Sequence, residues 1–385
     1  MRNRLTIVLS GMIAADPRFG GATWAVLQYV LGLRRLGHDV TFVEPVPPRS
    51  LQPADAPFTA SANAEYFRRV VREFGLQGRA TLLFEGSEES VGLSRAELSE
   101  VVRRADLLID VNGILGEPEW LASFPISVYL DIDAGFNELW HATQGIDRGF
   151  AGHTHHVTIG LGIGESWCRV PDCGYDWIKT LQPVVLDCWP VADRIVHDAL
   201  TTVGSWRGYG SFEHDGVFHG QKAHSLRPLF PLPTRTSERF LLALDIHPEE
   251  TKDLEALARH GWQLVDPTKV ASTPARYRRF IQGSKAEFGL VKHGCVASPC
   301  GWFSDRSACY LASGRPVLSQ ETGFSRYLPT GEGLFGFSSE DEALEAIEAL
   351  NADYPRHARA ARAIAEEHFD SDKVLARMLA AVGAG

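Results

Sequence analysis

Residues 5–45 read LTIVLSGMIAADPRFGGATWAVLQYVLGLRRLGHDVTFVEP. Leu5–Ser10 is an apolar run of strand length. A loop from Gly11 to Gly21 follows, and then a helix is expected from about Ala22 to Leu36, because Val26, Tyr29, Val30, Leu33 and Leu36 fall on one stripe at helical spacing. Gly37 supplies the left-handed residue that ends such a helix, and Val40–Val43 reads as a second buried strand. Strand, helix and strand in this order make a βαβ unit, the building block of a parallel sheet with helices on its faces.

Outward from this unit the pattern repeats. Strands are expected at Ala80–Phe84, Leu107–Val111, Ser127–Leu130 and His156–Leu161, and Ser94 with Glu97 forms a capping box for a helix running to Ala105. Around 186–199 the pattern changes at Trp189-Pro190, and a new series begins with Thr201–Ser205. It continues through strands at Phe240–Asp245, Trp262–Val265, Ala286–Val291, Pro316–Ser319 and Leu334–Phe337, with helices between them. The stretch 207–236, rich in Gly, His and Pro, fits no element and reads as a long irregular insertion. The chain is therefore expected to be α/β, with two Rossmann-like domains whose parallel sheets face each other across a cleft: residues 1–195, then 196–370, with a last helix at 371–385 that can pack back on the first domain. A chain of 385 residues exceeds the size at which one core keeps growing, so two cores are expected.

Composition narrows the function classes. Hydrophobic residues make up 44% and charged residues 22%, which is the balance of a folded globular chain. A net charge of -10 argues against a broad grip on nucleic acid or anionic lipid while leaving room for a local basic pocket. The two arginines ahead of the first apolar run suggest a secretory signal, but the run is short and passes directly into a loop and a helix. No stretch has the length of a membrane span. Six cysteines in a chain of this size do not make a secreted disulfide scaffold, and reduced thiols in a cytoplasm are the simpler expectation.

Several groups carry chemistry. Gly20-Gly21 lets the backbone approach a ligand at a helix N-terminus, although the spacing is not the dinucleotide fingerprint; Glu44, at the end of the second strand, stands where a ribose-binding acid would be. In residues 301–318, GWFSDRSACYLASGRPVL, Ser304 can cap a helix whose first amides, with Gly301, face a diphosphate. Asp305 there either accepts from ribose hydroxyls or complements the helix dipole, and Arg306 can neutralise phosphate. Asp131 and Asp133, two apart at a strand end, are expected to share a face and offer a general base for an acceptor hydroxyl; loop solvation is the alternative. His155, beside His153 and His156, is a further candidate base. Lys222, Lys292 and Arg207 are the basic residues placed to hold phosphates. Pairing of Cys168 with Cys173 or Cys295 with Cys300 lacks a metal-ligand framework, and no metal is expected.

The segment GGATWAVLQYVLGLRRLGHDVTFVEP at 20–45, the segment at 301–318 and ETGF at 321–324 together resemble the GT-B superfamily of glycosyltransferases, bacterial nucleotide-sugar-dependent members among them. The resemblance implies a glycosyltransferase moving a sugar from a nucleotide-diphosphate sugar, such as a UDP sugar, to an unidentified acceptor, with no cofactor beyond that donor and no metal. It adds Ser205, Trp302, Thr322 and Gly323 to Gly20, Gly21, Lys222, Lys292, Gly301, Ser304, Asp305 and Arg306 as donor-binding positions. The chain departs from the family where many retaining members carry a second acid, having Cys309 and Tyr310 instead. A nucleotide-sugar epimerase on the same fold and a noncatalytic nucleotide-sugar-binding protein are the alternatives.

Overall fold

The computed structural model describes residues 4–116, 118–208 and 210–385. The first sheet is built from β1 (Thr6–Ser10), β2 (Asp39–Val46), β3 (Ala80–Phe84), β4 (Ser90–Gly92), β5 (Leu107–Val111), β6 (Ile126–Asp131), β7 (His155–Thr158) and β8 (Trp177–Lys179). Its spatial order is 4-3-2-1-5-6-7-8, and every pairing is parallel except that of the edge strand β4 with β3. After β9 (His197–Ser205) comes an antiparallel ribbon of β10 (Phe212–His214) and β11 (Val217–His219). The second sheet then adds β12 (Phe240–Asp245), β13 (Gln263–Leu264), β14 (Ser284–Gly289), β15 (Val317–Gln320) and β16 (Leu334–Phe337) in the all-parallel order 13-12-9-14-15-16.

In each sheet the chain winds outward on one side of the central strand and then returns to the other side. That reversal falls between β1 and β5 in the first sheet and between β9 and β14 in the second. Sheets wound in this way open a crevice beyond the carboxyl ends of the strands at the reversal, because the crossover loops diverge there. The first helix, Gly20–Arg35, ends as the sequence implies: Gly37 has φ +94°, and the His38 and Gly37 amides donate back to the carbonyls of Leu33 and Arg34.

One expectation changes. The stretch 207–236 is not irregular. Besides the ribbon it forms a helix, Lys222–Leu226, and single turns at Arg227–Leu229 and Leu232–Thr234. Asp215 and Gly216, with φ of +49° and +72°, make the two-residue hairpin turn; the flanking strands of three residues are too short to show a period. Beside a cluster confined to the second half, with Trp206, Phe240 and Phe288, one apolar cluster runs through both halves and includes Trp24, Trp189, Tyr277 and Tyr310.

That shared cluster begins at the first helix, which starts two residues earlier than the apolar stripe implies. The Gly20 amide donates to the carbonyl of Ala271 at 2.8 Å, and a Cβ on Gly20 would lie 2.4 Å from the Thr273 carbonyl oxygen. One turn on, Trp24 donates from Nε1 to the Pro274 carbonyl at 2.9 Å and packs edge-on to Trp189 with 5.1 Å between ring centroids. Trp24 is 1% exposed. Burying an indole so fully is worth about 5 kcal/mol at roughly 25 cal/mol per Å². At the other end of the helix, Gly32 receives Leu375 and Ser371 of the last helix, Ser371–Ala381, and Arg35 pairs with Asp372 at 3.0 Å.

Gly20→Ala should therefore lower stability by about 1–3 kcal/mol, because the added methyl meets backbone rather than a movable side chain. It should also loosen the two halves. Thermal unfolding with small-angle X-ray scattering checks this: the melting temperature falls and the radius of gyration rises, whereas an unchanged profile would mean that the close contact is not structural.

Candidate functional site

The carboxyl ends of β1, β6, β9, β12 and β14 open on one cleft of about 530 Å³, lined from both halves. On the first half, Asp16–Ala22 form one wall. The loop behind them is pinned by Glu44, whose carboxylate accepts the amides of Ala14 and Ala15 at 2.8 and 2.6 Å, and by Asn63, which donates to the Ala14 carbonyl at 2.8 Å. Burial pushes Glu44 up to about 7, although the loop amides pull it down. Glu44 thus shapes the loop and does not reach the cleft as the ribose-binding acid its position suggested. Asp16 is raised by burial first and then by Asp245, which faces it at the end of β12.

The two acids expected to share a face do not. β6 ends at Asp131, so the strand alternation stops before Asp133. Asp131 is fully buried and accepts Thr158 Oγ1 at 2.6 Å, Asn137 Nδ2 at 2.7 Å and the Asp133 amide at 3.2 Å. Its carboxyl also lies against Glu138, and burial raises both, Glu138 well above its usual range. A proton shared between them supplies the donor that two carboxylates lack. Asp131 therefore holds the turn beneath the cleft. Asp133 projects from that turn into the cleft, where Lys292 Nζ of the second half meets its Oδ1 at 3.0 Å. The same ammonium lies 4.7 Å from the centre of the Phe136 ring.

His155 is also misplaced as a base. It opens β7 in register with Val128, three residues back from the carboxyl edge, about 10 Å away, and its Nδ1 is 2.9 Å from Thr154 Oγ1. Its neighbours are structural as well: His153 sits 3.4 Å from Asp110, and His156 contacts the Phe150 carbonyl at 2.8 Å.

On the second half, Ser205 ends β9, and Lys222 lies along the same strand end. A Cβ on Gly204 would be 3.3 Å from Lys222 Nζ, so the glycine gives the lysine its path. Burial pushes Lys222 down to about 7, with the positive charges of Arg306 and Lys292 adding to the effect. The helix Asp305–Ala312 points its amino end here, but Ser304 makes no side-chain cap, contrary to expectation. Asp305 opens that helix; burial raises its carboxyl, while the Arg306 charge and the nearby helix amides lower it. Both Ser304 and Asp305 line the cleft, as does Trp302.

Arg306 lines the cleft too, yet its guanidinium is bound to Glu287 and donates to the carbonyls of Val203 and Leu290 at 3.0 and 3.2 Å. It ties β9 to β14 rather than reaching outward, because a buried guanidinium needs both charge and hydrogen-bond partners. Gly301, Thr322 and Gly323 do not line the cleft. The Gly301 amide donates to the Thr322 carbonyl at 2.8 Å, Thr322 Oγ1 bonds the Trp302 carbonyl, and a Cβ on Gly323 would press on Trp167; the three buckle the loop carrying 302–304. Arg207 is engaged by Glu250. Cys309 receives Gln28 Nε2 at 3.7 Å, and the Tyr310 hydroxyl meets Thr201 Oγ1 at 2.6 Å, so both departures from the family pattern are packing positions here.

The cleft therefore brings together Gly20, Gly21, Asp133, Ser205, Lys222, Lys292, Trp302, Ser304, Asp305 and Arg306, and leaves out Asp131, His155, Gly301, Thr322 and Gly323. Sequence reasoning missed Asp16, Asp245, Thr268, Tyr277 and Cys295. Asp245 was within reach, since it closes a strand that the pattern identifies and strand ends carry ligands; the others have no local signal. Among the described residues no group of three or more His, Cys, Asp and Glu side chains converges as a metal site, and no helix is long and apolar enough to cross a membrane.

No family model and no curated protein matches the chain in sequence. Solved structures do match it along its whole length. Anabaena Alr3699/HepE in complex with UDP and glucose superposes with a TM-score of 0.56 at 12% identity, covering 98% of this chain and 100% of that one. An alpha-glucosyltransferase in complex with UDP-glucose and DNA containing an abasic site gives 0.61 at 12% identity, with 98% of each chain covered. AviGT4, a glycosyltransferase involved in avilamycin A biosynthesis, gives 0.53 at 14% identity over 98% of this chain and 97% of that one. With two parallel sheets opposed across one cleft and this agreement end to end, the chain has the fold of the GT-B glycosyltransferases.

Proposed function

We propose that the protein is a glycosyltransferase that moves a sugar from a nucleotide-diphosphate sugar to a hydroxyl acceptor. One observation carries the reading: Lys222 and Lys292 line the same cleft as Asp133, at the carboxyl edges of two opposed sheets. Transfer of a glycosyl group needs positive charge where the diphosphate departs and a base where the acceptor loses its proton, and these groups supply both within one cavity. The diphosphate lies between Lys222 and Lys292, within reach of the Ser205 and Ser304 hydroxyls. Asp305 turns its remaining acceptor capacity to the ribose hydroxyls. The cations take up the leaving charge without a metal.

In this reading Asp133 removes the acceptor proton as the acceptor oxygen bonds to the anomeric carbon. The bond from that carbon to the diphosphate oxygen breaks, and its electron pair leaves with the diphosphate. An acceptor oxygen attacking from the face opposite the leaving group inverts the anomeric centre. Among the structural neighbours, one is in complex with UDP and glucose and another with UDP-glucose, which supports a UDP sugar as the first donor to test. The net charge of -10 favours a small or neutral acceptor over a polyanion.

Asp133→Asn should lower turnover by about 100- to 10,000-fold while the protein stays folded and still binds nucleotide. The anomeric configuration of the product, read by NMR, should be inverted, and retention would remove Asp133 as the base. Lys222→Gln should weaken donor binding at least tenfold at pH 7. The sign of its pH dependence follows from its lowered value: below about pH 7 the free site already holds the proton that the diphosphate requires, and above it binding must take one up. Donor affinity should therefore fall as pH rises above 7, by up to about tenfold per pH unit. Calorimetry in buffers of different ionisation heat should find proton uptake at pH 8, absent in Lys222→Gln; uptake that persists in that variant would assign it elsewhere.

A further inference from the structure

The cations and anions of the cleft are not evenly matched. Arg306 is bound to Glu287, and Lys292 to Asp133 at 3.0 Å, so each of these cations has an acid beside it. Lys222 lies beside Arg306 and Lys292, both of which push it toward its neutral form. A dianion entering here reverses that balance, because it offers negative charge to Lys222 and competes with Asp133 for Lys292. The competition links the two halves: Asp133 follows β6 of the first sheet and Lys292 follows β14 of the second.

We infer that Lys292 is a donor-operated latch, paired with Asp133 and drawn onto the diphosphate when the nucleotide sugar binds, so that Asp133 is released to take the acceptor proton only after the donor is in place. The inference rests on the glycosyl-transfer reading and adds an order of events to it. No proton or bond changes in the hand-over itself; an ammonium moves from one anion to another. The path is short, since Lys292 has a second support that stays put: the ring of Phe136, which its ammonium overlies at 4.7 Å. That ring is itself fixed, 2% exposed, with a Cβ on Gly294 reaching to 2.7 Å from it. The lysine can swing over the ring while keeping this contact. An acceptor arriving first meets a carboxylate covered by an ammonium, which disfavours loading of the acceptor ahead of the donor.

The latch makes a prediction that runs against ordinary expectation for a catalytic acid: weakening it should improve binding of the leaving nucleotide. Calorimetric titration with UDP, using the full chain and the Asp133→Asn, Lys292→Gln and doubly substituted forms, separates the possibilities. The latch requires Asp133→Asn to tighten UDP about fivefold, since the diphosphate no longer has to displace a partly buried ion pair. It also requires that gain to vanish when Lys292 is already Gln. Simple repulsion between Asp133 and the diphosphate would tighten UDP equally in both backgrounds, and that outcome overturns the latch while leaving the donor site intact. Unchanged or weaker binding by Asp133→Asn overturns it as well. Failure of the unsubstituted protein to bind UDP, ADP, GDP or dTDP would instead overturn the glycosyl-transfer reading, and the latch with it. Each variant's melting temperature, measured alongside, shows that the comparison is made on folded protein.

Discussion

The pressure of the first helix against the second half is the constraint on which the rest depends. Gly20 donates to the Ala271 carbonyl, and Trp24 donates to the Pro274 carbonyl, so a helix that begins in one sheet's crossover is hydrogen-bonded to the loop serving the other. No residue with a Cβ fits at Gly20 without moving the Thr273 backbone. The glycine pair thus sets how near the halves come, and it lines the cleft as a consequence. Trp189, in the connection between the sheets, is fully buried against Trp24 and anchors the same seam. A cleft formed in this way is narrow where the sheets' carboxyl ends oppose each other, and that is where a ligand touching both halves would lie.

Within that cleft a chain of net charge -10 gathers cations. Lys222, Lys292 and Arg306 line the cleft together, and burial, then the neighbouring positive charges, hold Lys222 below the ordinary lysine range. Lys222, the cation of the three not paired with an acid above, keeps its charge more readily once an anion is beside it, which suits a site that takes an anion. The buried acids beneath it have the opposite character. Asp131 and Glu138 hold each other through a proton and hold the turn through Thr158, Asn137 and the Gly135 amide, so the turn that aims Asp133 is rigid.

Much of the fold could be read from local pattern. The strands Ala80–Phe84, Leu107–Val111, Phe240–Asp245 and Leu334–Phe337 begin and end where hydrophobic runs and turn residues put them, because a buried parallel strand is almost wholly apolar. The ribbon at 212–219 escaped, since three-residue strands show no period. In the cleft, residues at strand ends and helix starts were legible as positions, while their partners were not. Nothing local distinguishes Asp131 from Asp133; the difference is that β6 stops between them. Arg306 reads as a phosphate ligand until Glu287, nineteen residues earlier, is seen beside it. His155 reads as a base until the register sets it against Val128. Each of these depends on contacts between residues distant in sequence.

The most direct measurement is a crystal structure of the protein grown with UDP. The diphosphate should lie between Lys222 and Lys292, within hydrogen-bonding distance of both ammonium groups, with the Lys292 ammonium no longer on Asp133 and the ribose beside Asp305. A nucleotide bound outside the cleft, or bound within it with its phosphates away from Lys222, would contradict the account.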